Sequence, residues 1–130
     1  MIFSLAIYAP PSSDSGLSAI KFAQAAVASG HNVYRVFFYH DGVHHGSALA
    51  QSPQDELDLT QAWVELKQQT NCDLCICVAA GVKRGIFTLE EAQRYEQDTS
   101  SINKHFNLVG LGDLIEMTQH CDRVMSFGAT

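Results

Sequence analysis

The chain has 130 residues, of which 46% are hydrophobic and 17% charged, with three prolines and no low-complexity run. That composition fits a single globular domain around one core and excludes both a disordered chain and a pair of ordinary domains. Eight Lys and Arg against 14 Asp and Glu give a formal charge of −6, which repels a phosphate backbone and argues against direct nucleic-acid binding.

The opening MIFSLAIYAPP is apolar but lacks a basic leading region, so it is not expected to act as a signal peptide. No run approaches the roughly 20 apolar residues of a membrane span, so no membrane contact is expected. The expectation is a cytoplasmic chain, a setting in which cysteines are free, metal-binding or catalytic more often than disulfide-bonded.

In chain order, Ile2 to Tyr8 reads as a short buried strand closed by Pro10-Pro11. The segment SSDSG supplies capping side chains, and Leu17, Ile20, Phe22, Ala23, Ala26 and Val27 recur at helical spacing until Gly30. Val33 to Tyr39 is β-branched and aromatic and predicts the second strand. A polar loop, HDGVHHGSALAQS, follows. Pro53 is expected to open the second helix, with Asp55, Glu56 and Asp58 in its first turns and an apolar stripe of Leu59, Ala62, Trp63 and Leu66. Leu74 to Ala80 is the expected third strand, Leu89 to Tyr95 a short helix, and Phe106 to Val109 a short strand. Leu111 to Gln119 reads as the last helix and Arg123 to Phe127 as the last strand. Alternating strands and helices, with strands apolar on both faces, predict an α/β fold: three layers, α/β/α, around a mainly parallel sheet of about five strands, spanning residues 1–130 as one domain. In such a sheet, reactive groups gather beyond the carboxyl ends of the strands.

Three of the four cysteines fall within NCDLCICVAAGVKRG. Cys72 and Cys75 make one C-x-x-C, but the distant candidates to complete a zinc site are the adjacent His120 and Cys121, so no metal is expected. A thioredoxin-type pair belongs at the start of a helix, and this pair runs into a strand. Cys75 and Cys77 lie two apart and face the same way, which suits small core residues as well as a site. Cys77 differs by its place, where the third strand gives way to Val78-Ala79-Ala80-Gly81, with Lys83 and Arg84 following. Cations there would favour a thiolate, so Cys77 is either a reactive thiol or a core residue. Cys121 reads as structural. His40, His44 and His45 share the loop near the presumed site, where His40 is a candidate for assisting proton transfer, and Asp41-Gly42 reads as turn chemistry. Phosphate-binding glycine motifs and a G-x-S-x-G elbow are absent from the sequence.

The blocks FFYHDGV (residues 37–43), CVAAGVKRGI (77–86), the Gly110-Leu111-Gly112 turn and CDRVMSFG (121–128) together resemble the TusD/DsrE family of sulfur-relay subunits over essentially the whole chain. The resemblance implies a DsrE-like domain that acts as a sulfurtransferase without a cofactor, with Cys77 as the persulfide-carrying nucleophile and Lys83, Arg84 and His40 in support. It implies a TusA-like donor, a TusE-like acceptor serving 2-thiouridine formation at the tRNA wobble position, and TusB- and TusC-like subunits assembled as a dimer of heterotrimers. Two other roles stay open: a DsrE-type subunit in dissimilatory sulfur oxidation, and a scaffold subunit whose thiols are all structural. Cys72 and Cys75 are extra thiols relative to the family pattern.

Overall fold

The computed structural model describes residues 1–128; Ala129 and Thr130, the last two residues of the expected domain, lie outside them. Among the described residues the strands are β1 (Ile2–Ile7), β2 (Asn32–Phe38), β3 (Asp73–Cys77), β4 (Asn107–Val109) and β5 (Arg123–Phe127). The helices are α1 (Asp14–Ala28), α2 (Leu59–Thr70), α3 (Val78–Lys83), α4 (Leu89–Arg94) and α5 (Gly112–Thr118), with a 3-10 segment at His40–Gly46. The sheet runs β4-β3-β2-β1-β5 and every pairing is parallel.

Local chemistry sets the helix ends. Ser13 caps α1 by accepting from the Gly16 amide at 3.0 Å, and Asp14 in the first turn complements the helix dipole. Asp58 caps α2 by accepting from the Gln61 amide at 3.1 Å, and Asn71 closes that helix in the left-handed conformation. The second helix therefore starts at Leu59 and not at Pro53: Asp58 is its cap, and Asp55 and Glu56 precede it. The first seven residues of the expected polar loop after β2 are wound into the 3-10 segment, and the rest has no helix. Strand β3 also ends earlier than expected, because Val78-Ala79-Ala80 already forms the first turn of α3.

Right-handed crossovers explain the layering. From β1 through β4 the chain steps across the sheet in one direction, which puts the connecting helices on one face. From β4 it returns to the far edge, which puts α5 on the other. The core divides accordingly. On the first face Leu5, Ile7, Val36, Phe38, Leu74 and Ile76 bury against Ile20 and Ala23 of α1 and Trp63 and Leu66 of α2. On the second, Ala6, Phe37, Cys75 and Cys77 bury against Met117, with Leu114, Tyr34, Tyr39 and Val109 packed around them.

A bulge in β2 fastens α5 to that second face. Phe3 pairs with Val33 but Leu5 with Val36, so one residue of β1, Ser4, faces two residues of β2. Both of those two reach α5: the Tyr34 hydroxyl donates to Glu116 Oε1 at 2.8 Å, and buried Arg35 donates to Glu116 Oε2 at 3.2 Å and to the Asp113 carbonyl at 2.9 Å. Arg35 also pairs with Asp73 of β3 at 3.2 Å. These donors, Tyr34 first and then Arg35, hold the Glu116 carboxyl below its ordinary range.

Candidate active site

Parallel sheets form crevices where neighbouring strands send their connections to opposite faces. Here the connection leaving β3 passes to the face of α1 and α2, while the one leaving β4 passes to the face of α5. The crevice therefore opens between the carboxyl ends of β3 and β4, where Cys77 pairs in register with Val109. Strand β3 is short enough that Cys77 is both its last residue and the residue immediately before α3. The sequence shows no helix beginning there, since Val78-Ala79-Ala80 continues the apolar run of the strand. The Cys77 side chain makes no capping hydrogen bond.

The four thiols are free and fall into different environments. Cys72 lies at the amino end of β3, on the first face, where burial raises its pKa. Cys75 shares the second face with Cys77, but burial pushes its thiol up to about 12. Cys121 is half-buried, two residues before β5. Cys77 is 5% exposed and lies one residue before Val78, which lines two shallow grooves. One, of about 310 Å³, runs over Leu108, Val109 and Gly110 at the β3/β4 crevice; the other, of about 460 Å³, lies between α3 and α4 beside Lys83, Arg94 and Tyr95. A wider groove of about 690 Å³, which includes His31, Thr70 and Asp73, sits at the amino ends of the strands, away from the crevice.

Two of the three supporting residues, Arg84 and His40, meet at Asp41. Arg84 turns to Asp41, its Nε donating to Oδ1 at 2.9 Å, and its Nη1 donates to the Ala80 carbonyl at 3.3 Å. Lys83 is exposed on the wall of the α3/α4 groove. His40, in the left-handed conformation with φ +53°, is exposed and reaches Asp41 Oδ2 at 3.7 Å. Asp41 thus joins two of the three, and the hydrogen bond from Arg84 holds its carboxyl below the usual range. Its sequence context, Asp before Gly, carries a turn signal and hides the ion pair. His44 is half-buried, while His45 is fully buried beneath the segment.

These environments predict different reactivities. At pH 8 in the native protein, iodoacetamide is expected to modify Cys77 at least about tenfold faster than Cys72 and Cys75, because a thiol with its pKa raised by burial offers very little thiolate. Peptide mass spectrometry over a time course checks this; equal slow rates for the three would make Cys77 one more core residue.

Comparison with known proteins agrees with the fold and points to its chemistry. A family model described as DsrE/DsrF-like matches residues 1–127. The chain is 43% identical over 128 residues, 98% of each sequence, to the sulfurtransferase TusD homolog of Pseudomonas aeruginosa. It is 43% identical over 111 residues, 85% of each, to the DsrE protein of Allochromatium vinosum. The crystal structure of the ychN protein from E. coli superposes with a TM-score of 0.72 over 97% of each chain at 23% identity, a likeness of fold.

Proposed function

This chain belongs to the DsrE/DsrF-like family, and from that premise we propose that it is a sulfurtransferase carrying sulfane sulfur as a persulfide on Cys77. The observation that carries the assignment to Cys77 is its position: the last residue of β3, at the crevice between β3 and β4. The Cys77 thiolate attacks the outer sulfur of a donor persulfide, the donor S–S bond breaks, and the donor cysteine leaves as a thiolate. An acceptor thiolate then attacks the outer sulfur of the Cys77 persulfide, and Cys77 leaves as a thiolate. Each step exchanges one S–S bond for another, so no electrons are gained or lost overall and the exchange calls for no redox cofactor.

In this reading a TusA-like carrier donates and a TusE-like protein accepts, for 2-thiouridine formation at the tRNA wobble position, in the cytoplasm. TusB- and TusC-like subunits complete a dimer of heterotrimers, and the tRNA is handled by others, in keeping with the net charge of −6. The match to the TusD homolog over 98% of both chains favours this pathway. A role in dissimilatory sulfur oxidation is the second reading, motivated by equal identity, 43%, to the DsrE protein over a shorter span.

The test is direct. Incubation with a cysteine desulfurase and a TusA-like carrier should add about 32 Da per sulfur to the peptide containing Cys77. A labelled tRNA pool from a deletion strain, with and without the gene restored, separates the two pathways: recovery of 2-thiouridine supports the first, and unchanged tRNA with lost sulfur oxidation supports the second. Persulfide on another cysteine, or on none, would remove Cys77 from the assignment.

A further inference from the structure

We propose that Asp41 is a positioning residue for Cys77: through its ion pair with Arg84 it clamps α3 across the exit of β2 and so holds the sulfur in the orientation in which it exchanges. This rests on the sulfur-carrier reading above. Helix α3 has six residues, too few to hold itself together in water, so its position depends on what it is tied to. Its first tie is Cys77 itself, fixed in the sheet opposite Val109. Its second is Gly81, whose backbone lies so close to Ile86 that a Cβ there would come 2.5 Å from the Ile86 carbonyl oxygen, and whose own carbonyl accepts from the Ile86 amide at 2.8 Å. The third is Arg84, directly after the helix, whose Nη1 holds the Ala80 carbonyl while its Nε reaches over to Asp41.

The receiving end of that third tie is rigid. Gly42 packs so tightly on the Ile7 carbonyl that no side chain fits, and its amide donates to the Tyr39 carbonyl at 3.0 Å. The Asp41 backbone is therefore anchored to both β1 and β2. The Arg84 side chain is 18% exposed against 45% for Asp41, so one partner of the pair is largely shielded from water. A carboxylate on a fixed turn, meeting a guanidinium that also grips the helix carrying the site, can set the angle at which the residue before that helix presents its sulfur.

A positioning role moves two measurements in opposite directions. Loosening α3 uncovers Cys77, which is 5% exposed, so alkylation should speed up; it also spreads the sulfur over more orientations, so ordered transfer should slow down. In Asp41→Asn, iodoacetamide should modify Cys77 about fivefold faster, the change expected for the loss of one partly shielded pair. Single-turnover sulfur transfer from a TusA-like carrier, loaded by a cysteine desulfurase, should fall at saturating carrier by about fivefold or more, with the half-saturating concentration unchanged. Arg84→Lys, which keeps the charge but loses the Nε donor, should show the same opposed changes. Asp41→Glu, which keeps a carboxylate for the Arg84 Nε and leaves the Arg84 bond to the Ala80 carbonyl in place, should stay within about twofold of the parent in both rates. Unchanged rates in Asp41→Asn and Arg84→Lys, rates that move in the same direction, or an Asp41→Glu variant as impaired as Asp41→Asn would overturn the clamp. A wild-type chain that takes no sulfur sinks the carrier reading instead, and leaves the alkylation result as the separate measure of the tie.

Discussion

Cys77→Ser is expected to abolish sulfur transfer to the level of the uncatalysed background while leaving the fold intact. Serine replaces a 5% exposed thiol with a hydroxyl of similar size at the last position of β3, so packing around Phe37, Tyr39 and Val109 changes little. The chemistry does not survive the change. A hydroxyl with no partnering base is a poor nucleophile at neutral pH, and an oxygen in place of the sulfur forms no persulfide from which the outer atom can be handed on. The purified variant should accept no sulfur from the loaded carrier, and the variant gene should fail to restore 2-thiouridine in the deletion strain. Restored thiolation would end the assignment of Cys77.

The matching variant, Cys75→Ala, should keep transfer within about threefold of the parent, since Cys75 is a neighbour and not a participant. Two residues apart along a strand rising about 3.3 Å per residue, Cys75 and Cys77 have Cα atoms at the upper limit of what a disulfide spans without backbone movement. Burial moreover keeps the Cys75 thiol protonated, with its pKa pushed up to about 12, so it is a poor attacker on a persulfide two residues away. The clustering of thiols in the sequence thus dissolves into one exchanging sulfur, one packed neighbour on the same face, and Cys72 on the opposite face at the other end of the strand.

The sheet was legible in the sequence because each strand is a short apolar run between turn signals, and because period-2 alternation put Cys75 and Cys77 on one face. The start of α3 was not, since Leu74 to Ala80 is apolar without interruption and reads as one strand. What ends β3 is tertiary: its pairings stop at Ile76 on the β2 side and at Cys77 on the β4 side, so the chain beyond has no ladder to continue. The start of α2 is obscured for the opposite reason. Pro53 and the acids after it carry strong local signals for a first turn, but Asp58 supplies the cap and Leu57 stays exposed. The contribution of Asp41 was hidden because its partner lies 43 residues away, a separation no local pattern reports.

The stability of the fold is expected to fall by about 2 kcal/mol between pH 7 and pH 5, through one histidine. His45 is fully buried, with Nε2 3.0 Å from the Ala9 carbonyl and Nδ1 3.3 Å from Trp63 Nε1. Since the indole N–H only donates and the carbonyl only accepts, the ring must donate from Nε2 and accept at Nδ1, which is the neutral tautomer. A second proton would point at the Trp63 N–H and bring a charge into the core, and burial accordingly pushes the pKa down to about 4. The unfolded chain takes up its proton near the ordinary value of 6.5, so between 6.5 and 4 the unfolded state binds more protons than the folded one. The stabilisation is complete above that window, drains away as pH falls through it, and stops changing once the folded ring is protonated too. Asp41 and Glu116, both held below their ordinary values, lose their contributions only further down, near the carboxylate range, and the comparison with His45→Gln assigns the change between pH 7 and 5 to His45. Urea titrations at the two pH values should show the loss in the parent and a much flatter dependence in His45→Gln; an equal slope in both would assign the effect elsewhere. Because His45 and Asp41 belong to the same 3-10 segment, the residue that makes the fold acid-sensitive also anchors the turn to which α3 is tied.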